Sequence, residues 1–158
     1  MTGRAVFLDR DGVLNAVVIR DGRPHPPSSV EGVEVLDGVV EACHRLVDAG
    51  WLLIVVTNQP DIARGTTAPE LVASINGRVV EDLPISEVLV CPHDDADACA
   101  CRKPAPGLLL DAADRWNLDL RRCVMVGDRW RDVEAGAQAG TATVFIDRGY
   151  AERQPDAP

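Results

Sequence analysis

Residues 5–15 read AVFLDRDGVLN, a short apolar strand that runs directly into two carboxylates and a glycine. Two acids at the carboxyl end of a buried strand, Asp9 and Asp11, are costly unless something compensates their charge. A bound divalent cation is the usual compensation, and it leaves one acid free to do chemistry. Because residues 127–132, GDRWRD, follow a second apolar strand in the same way, the two stretches together suggest a metal-assisted phosphoryl-transfer site.

Apolar strand-like runs alternate with longer amphipathic segments along the chain. The pattern predicts strands at residues 4–9, 51–57, 87–90, 123–126 and 143–146, and helices at residues 38–49, 69–83, 106–116 and 131–139. Such alternation with short connections predicts an α/β fold, a Rossmann-like parallel sheet with helices on both faces. Ligands bind at the carboxyl ends of such strands, where Asp9, Thr57 and Asp128 all fall.

The length of the chain, 158 residues, is that of one domain. We expect a single domain over residues 1–150, without a large cap domain. The polar, proline-containing tail over residues 151–158 is typical of a frayed end. Two long connections, residues 16–35 and 91–106, interrupt the alternation, and ordered loops of this length are often functional.

Charge and hydropathy argue against several classes of protein. The formal net charge is −9, which disfavours nucleic acid as a partner because binding a phosphate backbone normally needs a basic face. No apolar run approaches the ~20 residues of a membrane span, and no signal-peptide pattern precedes the first strand. We therefore expect a cytoplasmic monomer that acts on a small molecule, with no nucleic acid or membrane partner.

The acids that follow the two strands can carry covalent phosphoryl chemistry. A carboxylate such as Asp9 can attack phosphorus, while a second acid such as Asp11 protonates the leaving oxygen and later takes a proton from water. Asp128 supplies the further acid that a magnesium site with Asp9 needs, since Mg²⁺ prefers oxygen ligands. Asp132, one helical turn on, could hold a metal-bound water or cap the helix, and we expect it to have a supporting role. Taken alone, however, a D-x-D-G motif also fits two turn-forming acids.

Polar residues in the neighbouring loops could face the same phosphate. Thr57 ends the second strand with a hydroxyl group, and Lys103 could stabilise the negative charge that redistributes in the transition state. A polar strand-ending turn and a solvated basic pair are the plain alternatives. Further candidates for contacts to the substrate are Asn58, Gln59, Arg102 and Arg129.

The cysteines predict a second metal site. Residues 91–101 read CPHDDADACAC and contain a C-x-H pair and a C-x-C pair. Three thiolates and one imidazole would form a closed tetrahedral zinc site, structural because no ligand position is open. Zinc would fold a loop that has almost no core of its own, and would so place the residues that follow it. The alternative is a group of buried cysteines beside an incidental histidine. The predicted ligands are Cys91, His93, Cys99 and Cys101.

Four motifs occur in order over nearly the whole chain: FLDRDGVLN at residues 7–15, VVTNQ at 55–59, CRKP at 101–104 and VGDRWRD at 126–132. Together they resemble the four motifs of the haloacid dehalogenase-like phosphohydrolases. The resemblance implies that Asp9 is the nucleophile, that Asp11 is the acid/base, and that Thr57 and Lys103 hold the transferring phosphoryl group. It also implies that Mg²⁺ is bound by Asp9, the main-chain carbonyl of Asp11, and Asp128.

The predicted zinc-binding loop at residues 91–101, which we call the zinc loop, narrows the resemblance to one branch of this family. The loop is similar to that of the branch containing D-glycero-D-manno-heptose 1,7-bisphosphate 7-phosphatases and histidinol-phosphate phosphatases. The resemblance implies a sugar bisphosphate cleaved at its 7-phosphate. The short spacer at residues 94–98 instead resembles the histidinol-phosphate type, and residues 60–61, PD, depart from the heptose pattern. A zinc-stabilised binding module without catalysis is the alternative from a different class.

Overall fold

A five-stranded parallel sheet forms the centre of the protein. The computed structural model describes residues 2–157. Met1, the first residue of the expected domain, and Pro158, the last residue of the expected tail, lie outside the described residues. The strands lie in the order β5-β4-β1-β6-β7, and each neighbouring pair is parallel. The bounds of all strands are β1 Ala5–Leu8, β2 Val18–Arg20, β3 Arg23–His25, β4 Leu52–Asn58, β5 Glu87–Cys91, β6 Val124–Gly127 and β7 Ala142–Phe145.

Helices cover both faces of the sheet. Successive side chains of a strand point to opposite faces, so Phe7 belongs to the apolar core on the α3 side and Leu8 to the core on the α1 and α2 side. The Rossmann-like architecture is therefore confirmed, and every predicted strand and helix is found within three residues of its expected bounds. The helices are α1 Val39–Asp48, α2 Pro69–Val80, α3 Gly107–Trp116 and α4 Trp130–Ala139.

Two insertions replace a large cap domain. The first long connection contains an antiparallel hairpin, β2–β3, in which Val18 pairs with His25; the sequence predicts only a loop here, because strands of three residues are too short to show an apolar alternation. The second, residues 91–106, is a loop with one short 3₁₀ turn at Asp95–Asp97. Within residues 2–157, no helix is both long and apolar enough to cross a lipid bilayer.

The C-terminal segment packs against the domain, which differs from the frayed end expected of its composition. The Ala151 N–H donates to the carbonyl oxygen of Gly22 over 2.9 Å, and the Glu152 carboxylate accepts from the guanidinium of Arg129. Partners this distant in sequence leave no mark in the composition of a tail. The segment therefore ties the hairpin to the start of α4.

Candidate active site

Three neighbouring strands end at one pocket. Because β4, β1 and β6 are adjacent and parallel, the residues that follow each of them meet at the same edge of the sheet. The loop over residues 91–106 contributes Lys103 to the pocket, and the hairpin segment contributes residues 24–26. Its lining residues are Asp9, Asp11, Pro24, His25, Pro26, Asn58, Lys103, Asp128, Arg129, Arg131 and Asp132.

Three buried carboxylates, Asp9, Asp128 and Asp132, have oxygens within 4.8 Å of one another; we call them the acid cluster. The buried ammonium of Lys103 donates to Oδ1 of Asp9 over 2.9 Å and to Oδ1 of Asp132 over 2.7 Å. A third donor of the same ammonium contacts the carbonyl oxygen of Val56 over 2.8 Å. One positive charge thus faces three acids, which leaves an excess of negative charge in a site removed from water.

This excess shifts the protonation of the acid cluster. Burial, together with repulsion from Asp9 and Asp132, raises the pKa of Asp128 to about 9. Burial and the charge of Asp132 also raise the pKa of Asp9, although Lys103 opposes the shift. For Lys103, burial favours the neutral amine, but Asp132 and Asp9 outweigh it and raise the pKa. The cluster would ionise fully only with a further cation.

The donor set of the acid cluster fits Mg²⁺. Oδ1 of Asp128 is buried and has no hydrogen-bond partner among residues 2–157, so one carboxylate oxygen is left over for a ligand. Hard oxygen donors in this number, with space for water, are those that Mg²⁺ prefers. The predicted pairing of Asp9 with Asp128 in one site therefore agrees with the geometry, and the side chain of Asp11 stands outside this group of three.

Asp132 supports the site from the first turn of α4. Its Oδ2 accepts from the N–H of Arg129 over 3.1 Å, which caps the helix, while Oδ1 accepts from Lys103. The carboxylate can lie so close to the end of β6 because residue 127 is glycine: a Cβ on Gly127 would stand 2.1 Å from that of Asp132. Both oxygens of Asp132 are thus engaged by groups of the protein.

The carboxylate of Asp11 is held by donors on both oxygens. The guanidinium of Arg10 donates to Oδ1 over 3.0 Å and to Oδ2 over 2.9 Å. Asn15 adds a bond to Oδ1 and Gln59 a bond to Oδ2, over 2.9 and 3.0 Å. Arg10 is itself buried and donates to the side chain of Asn76 on α2 over 2.7 Å. The second acid of the D-x-D motif is therefore fixed in orientation next to Asp9.

Of the polar residues at the end of β4, one lines the pocket and the others lie behind it. Thr57 is fully buried and its hydroxyl accepts from Gln59 over 2.9 Å; neither side chain lines the pocket. Asn58 does line it, and its amide bonds both the N–H and the carbonyl oxygen of Lys103, over 3.1 and 3.0 Å. The end of β4 therefore fixes the backbone that carries the lysine.

The arginines are distributed differently from the sequence prediction. Arg102, predicted to contact the substrate, does not line the pocket: its Nε donates to Asp95 over 2.7 Å. Arg129 lines the pocket and is paired with Glu152. Arg131, which the prediction omits, also lines it and pairs with Asp95 over 3.3 Å. Its place beside the last acid of the VGDRWRD motif is the signal that could have identified it.

Two segments outside the four motifs also contribute residues to the site. The hairpin supplies residues 24–26 to the pocket wall, and its place in a long, proline-rich connection was the only hint in the sequence. Tyr150 lies beyond β7 and donates from its hydroxyl to Oδ2 of Asp128 over 2.6 Å. No local pattern marks this tyrosine, because the contact depends on how the chain turns back after the last strand.

The predicted zinc ligands converge in the second loop. The four residues Cys91, His93, Cys99 and Cys101, which we call the zinc cluster, have ligand atoms within 4.8 Å of one another. The sulfur of Cys99 lies 3.6 Å from that of Cys91 and 3.6 Å from that of Cys101, and Nδ1 of His93 lies 3.3 Å from Cys101. Tetrahedral zinc with sulfur ligands at ~2.3 Å requires edges of about 3.8 Å, so the sulfurs of Cys91 and Cys101, which are 2.7 Å apart, would have to separate to hold the ion. The donor set, three thiols and one imidazole in one loop, is that of a structural zinc site.

The thiols of the zinc cluster have unequal environments. Burial raises the pKa of Cys91. Burial also acts on Cys99, but main-chain N–H donors, that of Arg102 first, outweigh it and lower the pKa to about 7. Because the same loop continues into Lys103, an ordered zinc cluster would fix the backbone from which the lysine reaches Asp9.

Comparisons with known proteins agree with this site. A family model described as HAD-hyrolase-like matches residues 100–157. The chain is 36% identical over 151 residues to the D-glycero-beta-D-manno-heptose-1,7-bisphosphate 7-phosphatase of Bordetella bronchiseptica, covering 92% of this chain and 82% of the relative. It is 32% identical to the D-glycero-alpha-D-manno-heptose-1,7-bisphosphate 7-phosphatase of Campylobacter jejuni, covering 92% of this chain and 83% of that protein.

A solved structure extends the likeness to three dimensions. The crystal structure of the D,D-heptose 1,7-bisphosphate phosphatase of B. bronchiseptica, complexed with magnesium and phosphate, superposes with a TM-score of 0.77 at 35% identity. The match covers 90% of this chain and 79% of that chain. With four motifs that meet at one pocket and relatives of this identity over most of its length, the chain belongs to the haloacid dehalogenase-like phosphohydrolases.

Proposed function

We propose that the protein is a Mg²⁺-dependent phosphatase of a small sugar phosphate, and that it removes the 7-phosphate of a heptose 1,7-bisphosphate. The observation that carries the proposal is the convergence of Asp9, Asp11 and Lys103 with two further acids on one pocket. The relatives named as heptose bisphosphate phosphatases support the choice of substrate. The same convergence disfavours a zinc-stabilised binding module, which would not need buried acids paired with a lysine.

In the first step, a carboxylate oxygen of Asp9 attacks phosphorus in line with the leaving oxygen, and an aspartyl-phosphate forms as the ester bond breaks. Lys103, which lies 2.9 Å from Oδ1 of Asp9, would bond a phosphoryl oxygen and stabilise the charge that spreads over it. Asp9, Asp128 and the main-chain carbonyl of Asp11 would hold Mg²⁺. When bound, this ion neutralises the phosphoryl oxygens and orients the group for attack.

Asp11 would move the protons of both steps. It protonates the leaving sugar oxygen in the first step and takes a proton from the attacking water in the second, when the aspartyl-phosphate is hydrolysed. In the structure, the oxygens of Asp11 accept from the Arg10 guanidinium and from Gln59, so we infer that its side chain turns toward the leaving oxygen when it donates a proton. The buried hydroxyl of Thr57 would orient Asp11 indirectly, because the amide of Gln59 donates both to this hydroxyl and to Oδ2 of Asp11.

The remainder of the substrate would meet basic side chains at the mouth of the pocket. Arg129 and Arg131 extend from the start of α4, and His25 faces them from the hairpin; all three line the pocket. A distal phosphate can accept a fork of hydrogen bonds from a guanidinium. We therefore assign the distal contacts to Arg129 and Arg131, with the paired carboxylates Glu152 and Asp95 as the groups that a phosphate would displace.

Release of inorganic phosphate tests the proposal. We expect turnover of both anomers of D-glycero-D-manno-heptose 1,7-bisphosphate with kcat/KM at least ~10-fold above that for histidinol phosphate, and loss of activity with EDTA. Asp9→Asn should remove activity by roughly 10³-fold or more, whereas Asp48→Asn, an exposed acid of α1, should not. Faster turnover of histidinol phosphate would reverse the substrate assignment, and an active Asp9→Asn protein would refute the mechanism.

We further infer a cytoplasmic monomer whose partner is a small phosphorylated metabolite. Five cysteines are present and all are free thiols, and clustered thiols with a histidine are typical of zinc sites in reducing compartments. The net charge of −9 disfavours nucleic acid as a substrate. Light scattering of the purified protein would test whether it is a monomer, and its zinc content would test whether the clustered thiols hold zinc.

A further inference from the structure

A buried tyrosine touches the acid cluster without a part in the chemistry above. The hydroxyl of Tyr150 lies 2.6 Å from Oδ2 of Asp128, at the short end of the range for O–H···O hydrogen bonds. Tyr150 is only 8% exposed, and it is the single tyrosine of the chain. A phenol is a hydrogen-bond donor at neutral pH, so the hydroxyl donates to the carboxylate.

The two oxygens of Asp128 are placed in different surroundings. Oδ2 is enclosed between the tyrosine and Gly12: a Cβ on Gly12 would stand 1.8 Å from Oδ2 and 2.7 Å from the Tyr150 hydroxyl. Oδ1 is also buried but has no hydrogen-bond partner within residues 2–157. The tyrosine thus engages one oxygen of the carboxylate and leaves the other for a ligand.

Contacts on both sides hold the tyrosine in place. Two residues earlier, Nε of Arg148 donates to the carbonyl oxygen of Gly12 over 3.1 Å. One residue later, the N–H of Ala151 donates to the carbonyl oxygen of Gly22 in the hairpin turn over 2.9 Å. The ring therefore reaches Asp128 from a segment fixed to the loop after β1 and to the hairpin, which keeps the hydroxyl aimed at one oxygen.

We propose that Tyr150 is a positioning residue of the metal site, whose hydroxyl fixes the Asp128 carboxylate so that Oδ1 is presented to the cation. The inference rests on the proposed function only in assigning a divalent cation to the acid cluster. Outer hydrogen-bond partners of metal ligands orient those ligands, and their loss typically weakens metal binding or activity by about 10- to 100-fold. Tyr150 would act in this way on Asp128, without contact to the substrate.

The test is the affinity of the substrate-free protein for Mn²⁺ alone, measured by the electron paramagnetic resonance signal of unbound Mn²⁺. We expect Tyr150→Phe to raise the Kd by about 10-fold or more. The Mg²⁺ concentration for half-maximal activity should rise by the same factor, while KM at saturating Mg²⁺ stays within about twofold. Arg153→Gln is the matched control: it alters the same tail at a residue that does not touch Asp128, and should leave the Kd unchanged.

A second measurement needs no amino-acid substitution. Because the chain has one tyrosine, growth on 3-fluorotyrosine labels Tyr150 alone, and its ¹⁹F resonance should shift when Mg²⁺ is added. Equal Mn²⁺ affinity of Tyr150→Phe and the unaltered protein, or a ¹⁹F resonance that Mg²⁺ does not move, would overturn the positioning role and leave the proposed function standing. If the unaltered protein bound no Mn²⁺, the metal assignment itself would fall, and this inference with it.

Discussion

The acid cluster and the zinc cluster are both sets of side chains that could hold a metal ion, yet they are assembled in opposite ways. Asp9 follows β1, whereas Asp128 and Asp132 follow β6, and the three meet only because the two strands are neighbours in the sheet. The zinc cluster lies within residues 91–101 of one loop. The first set therefore depends on the fold of the whole domain, and the second on the spacing of a short segment.

The two clusters also differ in what supports them. The acid cluster rests on buried strands and is neutralised in part by Lys103. In the zinc loop only Cys91 is fully buried, and its regular structure is limited to one 3₁₀ turn at Asp95–Asp97. We infer that the acid cluster persists without its metal, with protons or Lys103 as substitutes, whereas the zinc cluster needs its ion to stay ordered.

Among the substitutions that compare the two clusters, the largest effect is expected from removing the ammonium group of Lys103. Lys103→Met should lower kcat by roughly 10²- to 10³-fold, because the charge on the phosphoryl oxygens loses its partner. It should also destabilise the metal-free protein by about 3–5 kcal/mol, since two buried carboxylates lose their counter-charge. Phosphate release and urea unfolding, the latter with and without Mg²⁺, measure the two effects.

The control for this variant is Arg45→Met, which removes an exposed positive charge from α1 and should leave both quantities unchanged. Mg²⁺ should restore part of the stability lost in Lys103→Met, because the ion supplies the missing positive charge. An unfolding free energy equal to that of the unaltered protein in the absence of Mg²⁺ would show that the acids do not depend on Lys103.

Much of both clusters could be predicted from the sequence, for separate reasons. The alternation of strands and helices places the ends of β1, β4 and β6 together, so the acids after β1 and β6 could be assigned to one site before any distance was known. The convergence of the four side chains of the zinc cluster could be predicted from spacing alone, because a C-x-H and a C-x-C pair in one short loop can reach a single point.

The remaining parts depend on contacts that no local pattern encodes. Arg102 adjoins Lys103 in the CRKP motif, but neighbouring side chains of a loop point in different directions, and this one turns to Asp95 instead of the pocket. Tyr150 reaches Asp128 from the segment after the last strand. The pairing of Arg129 with Glu152 likewise required the path of the C-terminal segment.

An intermediate effect is expected from the zinc cluster. Cys99→Ser, or removal of zinc with a chelator, should lower the Tm by about 5–10 °C, because the loop loses the bonds that order it. The kcat/KM should fall by about 10- to 100-fold, as Lys103 is less well placed. Far-UV circular dichroism should change little, since the loop has only a short turn of regular structure.

Cys43→Ala provides the comparison for the zinc cluster. Cys43 is a buried thiol of α1 outside both clusters, so its loss should reduce stability without changing the zinc content or kcat/KM. Zinc content is measured with a colorimetric chelator after unfolding. Full activity and an unchanged Tm in zinc-free protein would mean that the loop is ordered by its own contacts, and that the contrast between the clusters is false.

The smallest effect is expected from the ion pairs that connect the zinc loop to the pocket. Asp95 of the zinc loop pairs with both Arg102 and Arg131, whose side chains are 12% and 22% exposed, but only Arg131 lines the pocket. Arg131→Gln should raise KM for the bisphosphate about 10-fold, with kcat within about twofold, because a distal phosphate loses a guanidinium partner. Arg102→Gln should change KM by less than about twofold.

A substrate with only the 7-phosphate separates the two explanations for a change in KM. It lacks the distal phosphate, so Arg131→Gln should leave its KM unchanged if the arginine contacts that group. Should Arg131→Gln raise KM for the monophosphate equally, the arginine would act by holding the carbonyl oxygen of Lys103, which it contacts over 3.4 Å. An effect of Arg102→Gln larger than that of Arg131→Gln would restore the contact that the sequence predicts, and would require the zinc loop to rearrange when the substrate binds.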